Sequence, residues 1–292
     1  MLWFRKHNKS EAEDESVEGD VISSTELSIG FDKSIAAEKL KGLLVDVSES
    51  GASIESLAEA QANKHKLFSL ALNKETIQTL DRDSILTLLD CVFTARRKLL
   101  DIFTSIDEEV LKQAIIDVMT GSDEIEVRLT RFTTTIVDGE STEKAVRKKR
   151  RAAWDFAAEC LHYNDPEYYP LMARWVWDIT TVSGVMREFI RNNDSFGNDI
   201  PLGTDPGTFE SFREFLRDCL ANEGYYRDVH YMIDLVMAKA YADYMRAMTM
   251  GAGMIQAEFG GRQDPLEYIL KLIGIDSRKP SSNEDADTKV LH

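Results

Sequence analysis

Apolar residues recur every three to four positions through most of the chain, and this spacing constrains the fold more than any other feature. One such run consists of Ile85, Leu88, Leu89, Val92 and Phe93. The spacing continues within residues 125–136, 154–161 and 225–259. Because this period places the apolar side chains on one face of an α-helix, it predicts helices that pack together by those faces. The sequence therefore predicts an all-α fold, a multi-helix bundle.

Capping residues mark where several of these helices are expected to begin. An aspartate followed by a proline supplies an N-cap carboxylate and a residue suited to the first helical position. Such pairs occur at Asp165–Pro166, Asp205–Pro206 and Asp264–Pro265. Ser105 and Glu108 have the spacing of a capping box, which predicts a further helix start. The spacing of Trp175 and Ile179 predicts a buried helix within residues 170–190.

Composition divides the chain into four parts. Residues 1–30 and 276–292 are rich in charged and polar residues and poor in apolar ones. This composition predicts disorder at both ends, because such segments bury too little apolar surface to fold. Between them we place a boundary near residue 138. It separates an N-terminal helical module, residues 31–138, from an aromatic- and Met-rich helical bundle, residues 139–275.

Charge and cysteine content indicate the compartment and exclude some classes of partner. The chain has 51 acidic residues and 35 Lys or Arg residues, a net charge of −16 that disfavours binding to nucleic acid and anionic lipid. Its three cysteines lie far apart without a Cys-x-x-Cys pair, so we expect neither a disulfide framework nor a structural zinc site. The sequence shows no secretory leader and no uninterrupted apolar stretch of membrane-spanning length. We therefore predict an acidic, cytoplasmic protein without a transmembrane segment.

A short basic run contrasts with this acidic composition. Its six positive charges fall within eight residues, at Lys144, Arg147, Lys148, Lys149, Arg150 and Arg151. The run lies at the predicted start of a helix, where the helix macrodipole makes positive charge unfavourable. We therefore predict that it binds an acidic surface of a partner protein, while the net charge disfavours nucleic acid. A solvated helix face without a partner is the alternative interpretation.

The N-terminal tip is a second candidate for partner binding. Trp3 and Phe4 are followed by Arg5 and Lys6. Two large aromatic side chains beside basic residues suit docking on an apolar groove or a membrane interface. The acidic residues from Glu11 onward disfavour stable membrane attachment, so we predict docking on a partner protein.

Two pairs of side chains have the spacing of metal ligands. Glu159 and His162 are three residues apart, His230 and Asp234 are four apart, and each pair would share one helix face. Candidate carboxylates to bridge two metal ions are Glu188, Glu210 and Glu214. The alternative interpretation is that the two histidines are partly buried and form hydrogen bonds with nearby carboxylates.

These pairs resemble those of heme-oxygenase-like and ferritin-like di-metal oxidases, which draw His and carboxylate ligands from several helices of one bundle. The resemblance implies a site for two iron ions and an oxidase activity. The sequence departs from both patterns. Arg227 stands where a second Glu-x-x-His would need an acid, and Met237 stands where a third histidine would follow.

No catalytic signature accompanies these candidates. The sequence contains no phosphate-binding loop, dinucleotide fingerprint, Gly-x-Ser-x-Gly or His-Glu-x-x-His. The leading hypothesis is therefore a cytoplasmic helical adaptor, an assembly or accessory protein that acts by protein–protein binding rather than as an enzyme. The alternative is an iron-dependent di-metal oxidase. The sequence leaves open whether the protein forms a homo-oligomer.

Overall fold

The computed structural model describes residues 22–137, 143–197, 199–251 and 265–276. Within these ranges the chain folds into eleven α-helices and two short 3-10 helices, and it forms no β-strand. This architecture confirms the predicted all-α, multi-helix bundle. None of the helices in the described ranges combines the length and the apolar character needed to cross a membrane.

The helices are numbered in chain order. The first six are α1 Lys33–Ser50, α2 Ile54–Leu72, α3 Arg82–Asp90, α4 Phe93–Ser105, α5 Glu108–Thr120 and α6 Ile125–Ile136. The remaining five are α7 Lys144–Asn164, α8 Val185–Glu188, α9 Pro206–Asn222, α10 Val229–Gly251 and α11 Pro265–Leu272. The 3-10 helices span Ile77–Thr79 and Asn193–Phe196. The periodic stretches 125–136 and 154–161 lie within α6 and α7, as predicted.

Helix α7 lies at the centre of the fold, where it packs against α2, α4, α5 and α6. Phe156 of α7 is fully buried, and its ring centroid lies 5.0 Å from that of Phe103 and 5.9 Å from that of Phe132. Such aromatic pairs add favourable contacts to the burial of apolar area. Helix α10 packs against α1, α2, α8, α9 and α11. Helix α2 therefore contacts both of the longest helices.

One hydrophobic core extends from Ala36 to Ile273 and includes residues from both sides of the predicted domain boundary. The boundary itself lies at residues 138–142, outside the described residues. Helices α2, α4 and α6 precede it and pack against α7, which follows it. The division into residues 31–138 and 139–275 stays a prediction, and the observed contacts join the two parts in one core.

The predicted disordered ends lie largely outside the described residues, which do not include 1–21 or 277–292. Residues 22–30 form no helix and run beside the start of α9. There the backbone N–H of Thr25 donates to Ser211 Oγ at 2.9 Å. The chain thus passes the N-terminus of α9 before it enters α1.

The predicted helix starts can be compared with the observed caps. Asp205 caps α9 as predicted, because its Oδ1 accepts the backbone N–H three residues further on at 2.9 Å. The capping box at Ser105 and Glu108 is wrong. Ser105 is the last residue of α4, and the carboxylate of Asp107 caps α5 by accepting two backbone N–H groups. Asp264 lies outside the described residues, although α11 begins directly after it.

The helix predicted within residues 170–190 is also wrong. Residues 165–184 form turns, and the following helix α8 has only four residues. Asp165, predicted to start a helix, instead ends α7. Asp178 Oδ1 accepts from the backbone N–H of Thr180 at 2.9 Å, a local hydrogen bond that competes with helix formation. The apolar residues here belong to an irregular segment rather than to one helical face: Trp175 is buried, whereas Ile179 is exposed.

A substitution after α11 tests how closely this helix is held. Gly274 has a left-handed φ of 70°, and a Cβ there would overlap the carbonyl oxygen of Cys91, whereas a Cβ at Gly51, with φ of 75°, meets no atom within 4 Å. We expect Gly274→Ala to lower the free energy of unfolding by ~4 kcal/mol, because the added Cβ both strains the left-handed backbone and overlaps the Cys91 carbonyl oxygen. Gly51→Ala is expected to cost about 1 kcal/mol through strain alone. Urea denaturation measures both, and equal losses would contradict the close approach at Gly274.

Candidate functional site

A lysine and a glutamate form an ion pair inside the core. Lys64 of α2 is 5% exposed and Glu159 of α7 is 1% exposed. The Lys64 Nζ lies 2.9 Å from Glu159 Oε2, donates to the Ile273 carbonyl at 2.8 Å and sits 3.6 Å from the centroid of the Tyr163 ring. Burial raises the pKa of Glu159 above its usual value, and the charge of Lys64 offsets part of that rise. The ammonium group is therefore fully engaged by groups of the fold.

A histidine and an aspartate form a second buried pair one turn away. His162 Nε2 lies 2.9 Å from Asp234 Oδ2, and His162 Nδ1 lies 2.8 Å from the carbonyl oxygen of Tyr169. Both ring nitrogens of His162 therefore have a hydrogen-bond partner within the fold. A metal ion could bind the imidazole only by displacing one of these partners.

Tyr163 connects the two pairs. Its ring lies under Lys64 and contacts the ring of His162 edge-on, at 4.7 Å between centroids. Burial raises the pKa of the Tyr163 hydroxyl well above its usual value, and the charges of Asp234 and Glu159 raise it further. We call Lys64, Glu159, His162, Tyr163 and Asp234 the buried polar cluster. Within it each buried carboxylate has a partner, Lys64 for Glu159 and His162 for Asp234, as buried acids require.

His230 lies at the edge of this cluster. Together with His162 and Asp234 it lines a cavity of about 10 Å³, enough for one water molecule. Its Nδ1 is 3.9 Å from Glu167 Oε1. Burial lowers the pKa of His230, while the charges of Asp234 and Glu167 raise it. The structure thus brings three of the four predicted metal ligands to one small cavity.

The fourth predicted ligand is directed elsewhere, because the carboxylate of Glu159 pairs with Lys64. Of the predicted bridging carboxylates, Glu210 is paired with Arg213 at 2.6 Å and Glu214 is exposed. Across the part of the chain that the structure describes, no group of three or more His, Cys, Asp and Glu side chains is placed to hold a metal ion. The di-iron hypothesis stays a prediction, and the contacts of Glu159 and His162 give it no support.

The basic run lies where it was predicted, on the first turns of α7. Lys144, Arg147, Lys148 and Lys149 are exposed, and none of them forms an ion pair with another described residue. Arg151 is engaged differently: its Nη2 donates to Thr180 Oγ1 at 2.9 Å, and its Nε is 3.4 Å from Asp178 Oδ2. Trp3 and Phe4, the other predicted partner-binding residues, lie outside the described residues.

Helix α4 adds two charges that were not predicted to belong to this surface. Arg97 and Lys98 are exposed on α4, which packs against α7. Partial burial lowers the pKa of Lys98, the charge of the nearby Asp155 raises it, and the positive charges of Lys148, Arg97 and Arg151 lower it further. We define the basic surface as the following side chains of α4 and α7: Arg97, Lys98, Lys144, Arg147, Lys148, Lys149 and Arg151.

A buried acid lies beneath the basic surface. Asp155 of α7 is 6% exposed, and its Oδ1 accepts from the backbone N–H of Arg174 at 2.8 Å. Burial raises its pKa from 3.8 to about 6, although that hydrogen bond and the charges of Arg174 and Lys98 act in the opposite direction. Asp155 therefore titrates close to physiological pH.

No family model, characterised protein or solved structure matches this chain. Two features of the described residues bear on function: the buried polar cluster, in which Lys64 pairs with Glu159 and His162 with Asp234, and the basic surface, on which Lys144, Arg147, Lys148 and Lys149 form no ion pair.

The titration of Asp155 predicts a pH dependence of stability. Its pKa is higher in the folded than in the unfolded chain, so the unfolded chain loses this proton first and stability falls as the pH rises from about 4 to about 6. The loss from this one group is about 3 kcal/mol, at ~1.4 kcal/mol per pKa unit. Asp155→Asn keeps the acceptor oxygen and removes the titration.

We expect the difference in unfolding free energy between wild type and Asp155→Asn to change by about 3 kcal/mol between about pH 4 and about pH 6 and to stay constant above that range. Urea denaturation at a series of pH values measures it. Asp101→Asn, at an exposed position on α4, is the matched control. A difference between wild type and Asp155→Asn that is independent of pH would contradict the assigned burial effect.

Proposed function

We propose that this chain is a helical adaptor that binds an acidic segment of another protein through the basic surface. The observation that carries the proposal is the exposure, on the first turns of α7, of Lys144, Arg147, Lys148 and Lys149 without an ion pair to any described residue. The chain has a net charge of −16, yet these four cations lie close together in sequence on one helix without acidic partners among the described residues. A concentration of cations without such partners costs free energy, which an acidic ligand would recover.

The position of the surface on the fold supports the same role. It is built from two helices, α4 and α7, that share a well-packed core around Phe103 and Phe156. Charges held on rigid helices are pre-organised, so binding loses less conformational entropy than it would at a mobile tail. The start of α7 also carries the positive end of the helix dipole, which adds to the attraction for carboxylates.

A protein partner is favoured over nucleic acid and over catalysis. The net charge of the chain repels a phosphate backbone at long range, whereas a short acidic segment needs only the local surface. In the buried polar cluster both nitrogens of His162 and the Lys64 ammonium are engaged by groups of the fold. An adaptor role needs no catalytic group.

A cytoplasmic location fits the cysteines. Cys91, Cys160 and Cys219 are all free, and the last two are buried. Burial raises the pKa of the Cys160 and Cys219 thiols, which keeps them protonated and unreactive. Unpaired thiols of this kind are usual in a reducing compartment.

Charge reversal on α7 tests the proposal. In a chain with Arg147→Glu, Lys148→Glu and Lys149→Glu, we expect recovery of the partner by affinity purification from source cells to fall about tenfold or more. Three attractive contacts become repulsive in this variant. The reduction is expected to be largest at low ionic strength, since exposed charges are screened by salt.

The matched control reverses the same number of charges at Lys33, Lys41 and Lys66, which are exposed on α1 and α2. Both variants have the same net charge, so a general electrostatic effect would reduce recovery equally in both. Equal recovery from the two variants would refute the assignment of the basic surface. Loss of the captured material after nuclease treatment would identify nucleic acid as the ligand and would also refute the proposal.

A further inference from the structure

The chain carries an acidic segment whose charge is complementary to that of the basic surface. Residues 11–20 contain six acidic side chains and no Lys or Arg, and we call them the N-terminal acidic segment. They lie outside the described residues. The basic run on α7 contains six cations within eight residues. Four of these are exposed and form no ion pair with another described residue: Lys144, Arg147, Lys148 and Lys149.

The structure shows where the chain that follows this segment enters the fold. Thr25 is held at the start of α9, where its Oγ1 donates to Asp205 Oδ1 at 2.9 Å and its carbonyl accepts from Ser211 Oγ at 2.7 Å. Ser23 lies against the same turn, because a Cβ at Gly207 would be 2.8 Å from its carbonyl oxygen. The chain therefore enters the described fold at the N-terminus of α9.

The start of α9 and the basic surface border one cleft. Phe209 of α9, Trp154 of α7 and Thr180 line this cleft, whose volume is 330 Å³. Thr180 Oγ1 accepts from Arg151 Nη2 at 2.9 Å, and Arg151 belongs to the basic surface. The entry point of the chain and the basic surface thus both lie beside this cleft.

Chain length permits the acidic segment to reach the basic surface. An extended chain advances about 3.3 Å per residue, so Glu11 can lie up to about 40 Å from Ser23 and Asp20 up to about 10 Å. The basic run spans about 10 Å along α7. A short tether gives the segment an effective concentration on the order of mM at this surface. Weak pairs between exposed charges are then sufficient to keep it there.

The other end of the chain is the alternative occupant of the basic surface. Asp276 Oδ1 lies 3.7 Å from Arg96 Nη1, so residues 277–292 follow a point beside α4. They contain three acids and three Lys or Arg residues, and their formal charges cancel. The N-terminal acidic segment has no cation to oppose its acids, and this difference favours it.

We propose that the N-terminal acidic segment docks on the basic surface and competes there with the acidic segment of a partner protein. Its carboxylates pair with the exposed cations on the first turns of α7. A partner must displace it, which lowers the apparent affinity and selects partners with a higher density of acidic groups. The docking does not depend on the proposed function, whereas its consequence for partner binding does.

Carbodiimide cross-linking, which joins a carboxylate directly to a lysine amine, tests the docking in the full-length chain. We expect mass spectrometry of the monomer to show cross-links from residues 11–20 to Lys144, Lys148 and Lys149. A mixture of isotope-labelled and unlabelled chains establishes that each cross-link forms within one chain. The charge-reversed α7 variant retains Lys144, and the yield there is expected to fall about fivefold or more. The variant reversed on α1 and α2 is the control and is expected to keep the wild-type yield.

Binding of a fluorescent polyglutamate peptide, measured by fluorescence anisotropy, tests the competition. Three acids are neutralised in the full-length chain, by Glu13→Gln, Asp14→Asn and Glu15→Gln. We expect this variant to bind the peptide about fivefold more tightly than wild type at low ionic strength, because half of the competing charge is gone. The gain is expected to shrink as salt is added.

The matched control neutralises three exposed acids of α1 and α2, by Glu38→Gln, Glu49→Gln and Glu59→Gln. Its net charge equals that of the N-terminal variant, so a general electrostatic effect would strengthen peptide binding equally in both. Equal affinities of the two variants would overturn the proposal, as would a larger gain when the three acids of residues 277–292 are neutralised. Absence of intrachain cross-links from residues 11–20 to the lysines of α7 would overturn it independently.

The same peptide separates this proposal from the proposed function. Peptide binding that is lost on charge reversal of α7 but does not respond to the N-terminal variant would refute the docking alone. The basic surface would then remain a site for acidic ligands. Unchanged recovery of a cellular partner after charge reversal bears on the proposed function and does not alter the cross-links expected here.

Discussion

The ion pair between Lys64 and Glu159 is the constraint around which the helices of this protein are arranged. It joins α2 to α7 in the interior, where an unpaired charge would cost several kcal/mol. Lys64 also donates to the carbonyl of Ile273, which fixes the end of α11. One turn further along α7, His162 pairs with Asp234 of α10. Helices α2, α7 and α10 and the end of α11 therefore meet at these two buried pairs.

This arrangement also limits where function can be located. The ammonium of Lys64 and both ring nitrogens of His162 are engaged by groups of the fold, so the most charged region of the interior has a structural role. The candidate site for partner binding is instead on the surface. Lys144, Arg147, Lys148 and Lys149 of the basic surface are exposed and form no ion pair with another described residue. They lie on α7, the same helix that carries Glu159 and His162 in the interior.

The sequence predicted those parts of the fold that depend on local pattern. Residues 125–136 and 154–161 are helical because their apolar period is local, and Asp205 caps α9 through a contact three residues away. The segment 165–184 has similar apolar spacing but forms turns, in which Trp175 is buried and Ile179 is exposed. Glu159 and His162 looked like metal ligands because helical spacing is the same whether the partner is an ion or a lysine. Their partners are 95 and 72 residues away, as Lys64 and Asp234, and long-range packing cannot be inferred from periodicity.

A double-mutant cycle on the buried ion pair tests its structural role most directly. The free energy of unfolding is measured by urea denaturation for Lys64→Met, Glu159→Met and the double variant. We expect each single substitution to cost ~3–5 kcal/mol, because it leaves the other charge buried without a partner. The double variant, in which both charges are replaced by apolar groups, is expected to cost far less than the sum of the two. A double variant whose loss equals that sum would show that the two charges do not depend on each other, and would contradict the role assigned to them here.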